Sequence, residues 1–324
     1  MKQFGRSTIA AFGVLAAMQM ACGLAYAQTY PSKPVRLIAP FPPGGGTDLL
    51  SRVLALPISD SIGQPVVVDN RPGAGGSLGA EIAARAAPDG HTLILVSGSY
   101  AATSAYRKLP YDPIDGIEPI SLIGRTGLLM TVHPKVPATG VKELIAYARA
   151  NPGKLNYGSV GIGAVNHLSH ELFNLMAKVK IVHVPYKGAG PGLVALISGE
   201  IQLGTFSLVP TIPHLRAGRL RALGITSAKR TSLLPDVPAV AEALPGYVVN
   251  HWYGVWGPKG IPKPIVMRWN KEIARVLHGE KIARQLRGEG LDPAGGPPEE
   301  LHVVIKEAVE TWRKVIVDAR IERY

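Results

Sequence analysis

Three clusters in this sequence have residue types and spacings that could do chemistry. The first is Ala39-Pro40-Phe41-Pro42-Pro43-Gly44-Gly45-Gly46-Thr47-Asp48. Three glycines let the backbone approach a ligand closely. They lead into Leu49, Leu50, Val53 and Leu54, which recur at helical spacing, with Thr47 or Asp48 placed to cap the helix. The first N–H groups of a helix have no partner inside it, and its dipole favours an anion there. The stretch therefore suits a carboxylate or phosphate; the alternative is an ordinary turn between strand and helix. Asp48 has no evident partner for acid–base chemistry and reads better as a cap. The second cluster, Gly75-Gly76-Ser77-Leu78-Gly79, has the Gly-x-Ser-x-Gly form of a hydrolase elbow. That elbow needs the serine on a sharp turn straight from strand to helix. Here Asn70 to Gly76 intervene after Asp69, and Ser77 reads as an N-cap. The third is His167, His170 and Glu171. Two imidazoles on one helix face could bind zinc, but a third ligand must come from elsewhere and the order matches no zincin pattern. His167, in the first helical turn, is better placed to donate a hydrogen bond to a ligand. Neither Gly-x-Gly-x-x-Gly nor a Walker loop occurs, so nucleotides lack their usual signals, and no cofactor or metal is expected.

These clusters need elements to hold them. Val35–Ala39, Pro65–Asp69 and Thr92–Val96 read as buried strands, each followed by a loop of small or glycine-rich residues and a helix. Repeated βα units imply a mainly parallel sheet, with ligands beyond the carboxyl ends of the strands. Those ends carry the Pro/Gly loop, Asn70–Gly76 and Ser97-Gly98-Ser99-Tyr100. Ile120–Gly124 and Leu128–Val132 read as one interrupted strand crossing into a second domain. There a helix over Val141–Ala150 and strands at Leu155–Gly158, Ile181–Val184, Ile201–Thr205 and Arg221–Thr226 repeat the plan. Val248–Trp256 is a second crossing, returning to the first domain. Its Trp252, Tyr253 and Trp256 either line a cleft wall or pack a core strand. Two helices finish the chain, the last opening on Pro297-Pro298-Glu299-Glu300. Two α/β lobes joined by two crossings would close on a ligand by a hinge.

The 324 residues suffice for two domains with real cores. Lys2 and Arg6, the apolar run Thr8–Ala21 and the small-x-small site Ala25-Tyr26-Ala27 predict a signal peptide over residues 1–27, with the mature chain starting at Gln28. The only cysteine, Cys22, leaves with it, so no disulfide, thiol nucleophile or cysteine metal site is expected; Gln19-Met20-Ala21 makes a poor lipobox. Loss of Lys2 and Arg6 takes the formal charge from +12 to +10. The basic residues are scattered without a nucleic-acid motif, which fits mild steering of small anions and no nucleic-acid partner.

Several motifs in order resemble one family, the solute receptors of tripartite tricarboxylate transporters (Bug-type periplasmic binding proteins). They are Tyr30–Pro34, Pro40–Asp48, Asn70–Gly76, Ala87-Pro88-Asp89-Gly90, Leu109–Pro113, His183–Gly188 and Thr226–Arg230. The resemblance covers nearly all of the mature chain. It implies an α/β type II periplasmic-binding-protein fold, with one lobe from residues 28–125 and 249–324 and the other from residues 126–248. It implies a monomeric, non-catalytic periplasmic receptor that captures a small organic acid and delivers it to membrane permease subunits. The binding residues it implies are Phe41, Pro42, Pro43, Gly44, Gly45, Gly46, Thr47 and Asp48; Ser97, Gly98, Ser99 and Tyr100; and Ser159, Val160, Gly161, Gly163, Ala164 and His167. Phe206 and Ser207 stand where many relatives carry an Asp-Asn pair. That change, with Tyr100, points to a bulkier or more apolar acid, an aromatic one among them.

Overall fold

Three apolar runs, Val35–Ala39 (β1), Val66–Asn70 (β2) and Thr92–Ser97 (β3), lie side by side and parallel in the computed structural model, which describes residues 30–321. Leu37, Ile38, Leu93, Ile94 and Leu95 are all buried, as a sheet covered on both faces requires. Helices follow each strand: Gly46–Ile62 (α1), Ser77–Ala84 (α2) and Ser99–Tyr106 (α3). The signal peptide read at residues 1–27 and Cys22 lie outside the described residues.

The first crossing is a single strand of 16 residues, Ile117–Val132 (β4). The interruption expected near Arg125 is instead a pair of register shifts against its neighbour, Asn250–Pro258 (β9). That neighbour runs antiparallel to both β3 and the first part of β4. The far end of β4, Leu128–Val132, pairs antiparallel with Leu203–Ser207 (β7) and Arg221–Ile225 (β8). Beyond β7 the parallel strands Asn156–Ser159 (β5) and Val182–Pro185 (β6) complete a ten-stranded mixed sheet. So the βα units are parallel as expected, and the two long strands that join the sheet's halves are antiparallel.

The second half carries Val141–Ala150 (α4), Val165–Ala177 (α5), Ala189–Ser198 (α6) and Leu208–Arg216 (α7). Three helices finish the chain rather than two, because Gly279 in extended backbone separates Lys263–His278 (α8) from Glu280–Gly288 (α9). A short strand, Asp292–Pro293 (β10), pairs with β4 before Pro298–Asp318 (α10), which buries Leu301, Ile305, Val309, Trp312 and Ile316. Among the described residues no helix is long and apolar enough to cross a membrane.

Candidate ligand-binding site

The β1–α1 loop is braced from beneath by one carboxylate. Asp48 is only 2 % exposed and accepts the Gly44 N–H at 3.0 Å, Arg52 Nε at 3.0 Å and Asn70 Nδ2 at 3.1 Å. Asn70 Nδ2 also donates to the Phe41 carbonyl at 2.9 Å. Burial alone would raise the Asp48 carboxyl, but these donors hold it below the ordinary value. The N-cap expected at Thr47 or Asp48 falls at Gly45, and Asp48 lies inside the first turn. Its work is to tie the loop down through Gly44, whose φ of +85° suits glycine.

A cavity of about 40 Å³ opens at the ends of these strands. Gly45, Gly46 and Thr47 form one wall, Ser97 and Ser99 another, and Asn166, Ser207, His251 and Tyr253 the rest. Phe41, Leu128, Val160, Ala189 and Phe206 supply apolar surface. The Leu49 N–H bonds the Gly45 carbonyl, so the N–H groups of Gly46, Thr47 and Asp48 precede the first bond of α1. The first turns of α3, α5 and α6 reach the same cavity through Ser99, Asn166 and Ala189, and α7 through its N-cap residue, Ser207. Each helix start carries roughly half a positive charge.

Among the described residues no Asp, Glu, Lys or Arg lines this cavity. Its two titratable side chains are neutral at pH 7: burial lowers His251 to about 3 and pushes Tyr253 up to about 12. Tyr253 donates to Ser207 Oγ at 2.8 Å. Thr47 Oγ1 and His251 Nδ1 are buried without a hydrogen-bond partner among the described residues. Unpartnered buried polar atoms are uncommon and call for an explanation. A small anion in the cavity would supply one, because it accepts from hydroxyl, imidazole N–H and backbone N–H alike.

Several expected contacts fall elsewhere. Tyr100 is not in a loop: α3 starts at Ser99, and the tyrosine ring turns into the core, 5.3 Å from Trp256, with its hydroxyl on the Pro113 carbonyl at 2.8 Å. His167 Nδ1 accepts the Gly163 N–H at 3.2 Å, and its ring stacks on His183 at 4.2 Å, away from the cavity. Ser159 Oγ lies 2.6 Å from His183 Nε2. Pro42, Pro43, Gly44, Gly98, Gly161, Gly163 and Ala164 shape the surrounding turns and do not line the cavity. Trp252 and Trp256 are core residues, and of these three aromatics Tyr253 alone lines the site.

Asn166, inside the stretch Ser159–His167, was not singled out, and His251 was not predicted. Asn166 is one residue from His167, a swing of about 100° on a helix. That swing separates a cavity side chain from one in a stack; the Asn166 amide also donates to the Thr205 carbonyl. His251 gave no sequence signal, because only the pairing of β9 with β3 brings it over Gly98.

The other two clusters are occupied within the fold. Ser77 Oγ donates to the Ala74 carbonyl at 3.0 Å and is not the N-cap, which is Gly76; a 3-10 turn, not a strand, leads into it. His170 stacks on Tyr157 at 4.2 Å, and Glu171 accepts the Tyr157 hydroxyl at 2.5 Å.

A family model described as the tripartite tricarboxylate transporter family receptor matches residues 50–321. The solved periplasmic binding protein BugD is 32% identical, with a TM-score of 0.87 over 91% of this chain and 100% of its own. A protein of R. palustris solved with adipate is 38% identical, with a TM-score of 0.87 over 91% of this chain and 100% of its own. MatC of Rhodopseudomonas palustris, solved with bound malate, is 33% identical, with a TM-score of 0.85 over 89% and 100%. These similar proteins are binding proteins of the same α/β periplasmic-binding-protein fold.

Proposed function

Because the chain belongs to the tripartite tricarboxylate transporter family of receptors, we propose that it is an exported protein that holds a small organic carboxylate in the cavity at the β1–α1 loop. It then hands the acid to membrane permease subunits, acting as a monomer in the periplasm after cleavage at Ala27. The observation that carries this reading is the uncharged cavity itself. Thr47 and His251 line a space where helix starts converge, and Thr47 Oγ1 and His251 Nδ1 have no hydrogen-bond partner among the described residues. Adipate and malate, the acids held by two similar proteins, fit the same chemistry. A bulkier acid now rests on Phe206 alone, since Tyr100 points into the core.

A thermal-shift screen of the mature protein against organic acids tests this. A ligand at a hundred times its dissociation constant stabilises by about 2.7 kcal/mol, which moves the melting temperature visibly. No shift with any carboxylate, at millimolar concentration, would remove the basis for the assignment.

Thr47→Ala should cost roughly 1.5–3 kcal/mol, about ten- to a hundredfold in affinity, by deleting one hydrogen bond to a charged acceptor. Calorimetry with the best acid from the screen measures it. Lys229→Ala is the control: Lys229 is exposed and does not line the cavity, and exposed charges are screened beyond about 8–10 Å at physiological salt.

The halves that meet along β4 and β9 are proposed as two lobes, residues 28–125 with 249–324 and residues 126–248, which close by bending those strands. Small-angle scattering should show a smaller radius of gyration at saturation. An unchanged radius with binding confirmed by calorimetry would count against closure.

A further inference from the structure

Of the helix starts around the cavity, those of α1, α3, α5 and α6 have Gly45, Gly98, Ala164 and Gly188 as N-cap residues, none with a side chain able to cap. Ser207, at the start of α7, is the exception. Its extended backbone (φ −65°, ψ 154°) is the one from which a serine oxygen ordinarily accepts the N–H two or three residues on, yet it makes no such bond. The third helical position is Pro210, which has no N–H, so the group left uncapped is the Val209 N–H. The Ser207 oxygen is turned instead to Tyr253, whose hydroxyl lies 2.8 Å away. The phenol, the more acidic of the two hydroxyls, is the donor, and burial keeps it un-ionised. Ser207 Oγ accepts that proton, and its own has no acceptor among the described residues. Ser207 is 8 % exposed and lines the cavity, so the cavity is where its proton finds one. Tyr253 also stands where the two walls meet. In β9 it lies opposite Ser97 of β3 on one side and Gly124 of β4 on the other. A Cβ on Gly46 would overlap its hydroxyl and lie 3.2 Å from Ser207 Oγ. One phenol therefore abuts the start of α1, in the first half of the sheet, and the start of α7, in the second.

We infer that Tyr253 is the positioning residue of this site: its hydroxyl keeps Ser207 from capping α7 and fixes it as a hydrogen-bond donor to the bound acid. The inference rests on the cavity holding the carboxylate. With one lone pair taken by Tyr253 and its proton directed at the ligand, Ser207 gives a hydrogen bond there and does not receive one. Together with Thr47 and the open N–H groups at the starts of α1 and α7, it makes a wall of donors. Such a wall suits a carboxylate ion, whose oxygens only accept, and rejects an amide, whose NH2 needs an acceptor.

Calorimetry with acetate, benzoate, malate and adipate identifies the tightest of these four acids, which is then carried into the variants together with its amide. Ser207→Ala should cost about tenfold in acid affinity, Tyr253→Phe about as much, and the double variant no more than either alone. In Tyr253→Phe the freed serine can accept as well as donate, so the ratio of acid to amide affinity should fall severalfold. Ser207→Thr keeps the hydroxyl and should hold both affinity and ratio near wild type. The melting temperature of Tyr253→Phe should stay within a few degrees of wild type, because Ser207 can then turn to cap α7 at Val209. Additive losses from the two single substitutions, or an unchanged acid-to-amide ratio in Tyr253→Phe, would make Tyr253 a packing residue and overturn the inference with the cavity still standing. Ser207→Ala tests the donor even where Tyr253→Phe fails to fold: undiminished acid affinity there overturns the inference as well. Binding of none of the four acids by the wild type refutes the cavity reading and the inference together.

Discussion

Gly46→Val should abolish ligand capture, on the order of a hundredfold or more in affinity, while the protein still folds. The reason is close approach rather than backbone conformation. Gly46 has no positive φ; instead a Cβ there would overlap the Tyr253 hydroxyl and sit 2.8 Å from Tyr253 Cζ and 3.2 Å from Ser207 Oγ. Tyr253 is held in β9 between β3 and β4 and hydrogen-bonded to Ser207, so it has little room to retreat. The added atoms push the start of α1 off the cavity, at a cost of about 1–3 kcal/mol of stability for overpacking. Gly44→Ala is the informative contrast. Its Cβ would meet nothing within 4 Å, but its φ is +85°. It should lose about 1 kcal/mol of stability through strain and keep most of its affinity. The double variant Gly46→Ala with Tyr253→Phe removes the clashing hydroxyl and should recover part of the binding lost in Gly46→Ala. Calorimetry, with circular dichroism to confirm folding, separates these cases. Full affinity in a folded Gly46→Val protein would place the ligand elsewhere.

Much of this architecture was legible because local pattern and fold agree. Val35–Ala39 is apolar throughout, the loop after it is Pro/Gly-rich, and α1 has helical spacing, so strand, loop and helix could be read in order. Both long strands were visible, β4 as two apolar runs read as one interrupted strand and β9 as a run of β-branched and aromatic residues. Side-chain direction was the harder part. Reading Ser97–Tyr100 as a loop gave Tyr100 to the ligand, whereas one turn of helix sends it onto Trp256. His167 drew attention as a functional residue type, yet Asn166 faces the cavity. Capping misled for a related reason: the favoured cap residues Thr47 and Asp48 lie just past a glycine that takes the cap position itself. His251 depends on strand pairing between segments about 150 residues apart, and no local pattern encodes that.

Acid should destabilise this protein well above the carboxylate range. Burial lowers His170 and His251 to about 3, His183 to about 3 and His167 to about 4, with the neighbouring imidazoles adding to the effect on His170 and His183. A histidine whose folded pKa lies below its unfolded value of about 6.5 contributes stability above that value and loses it as pH falls towards the folded pKa, because the unfolded chain binds the extra proton. For His170 and His251, both fully buried, the loss at pH 5 is about 2 kcal/mol each, or about 4 kcal/mol together. That is a large part of a typical 5–15 kcal/mol total, roughly. His167 and His183 act in the same direction. Glu171 acts against them, since burial raises its carboxyl despite the Tyr157 hydrogen bond, and the folded state then holds a proton longer. Asp48 and Asp69, both lowered, add their losses only at more acid pH. Urea unfolding followed by circular dichroism at pH 7, 6 and 5 should therefore show stability falling steadily. His170→Phe keeps a ring stacked on Tyr157 and removes one titrating group whose Nε2 has no partner among the described residues. It should flatten the pH dependence by up to one proton, about 1.4 kcal/mol per pH unit. A wild-type protein equally stable at pH 7 and pH 5 would mean that these imidazoles reach water, and that the cavity around His251 is open rather than dry.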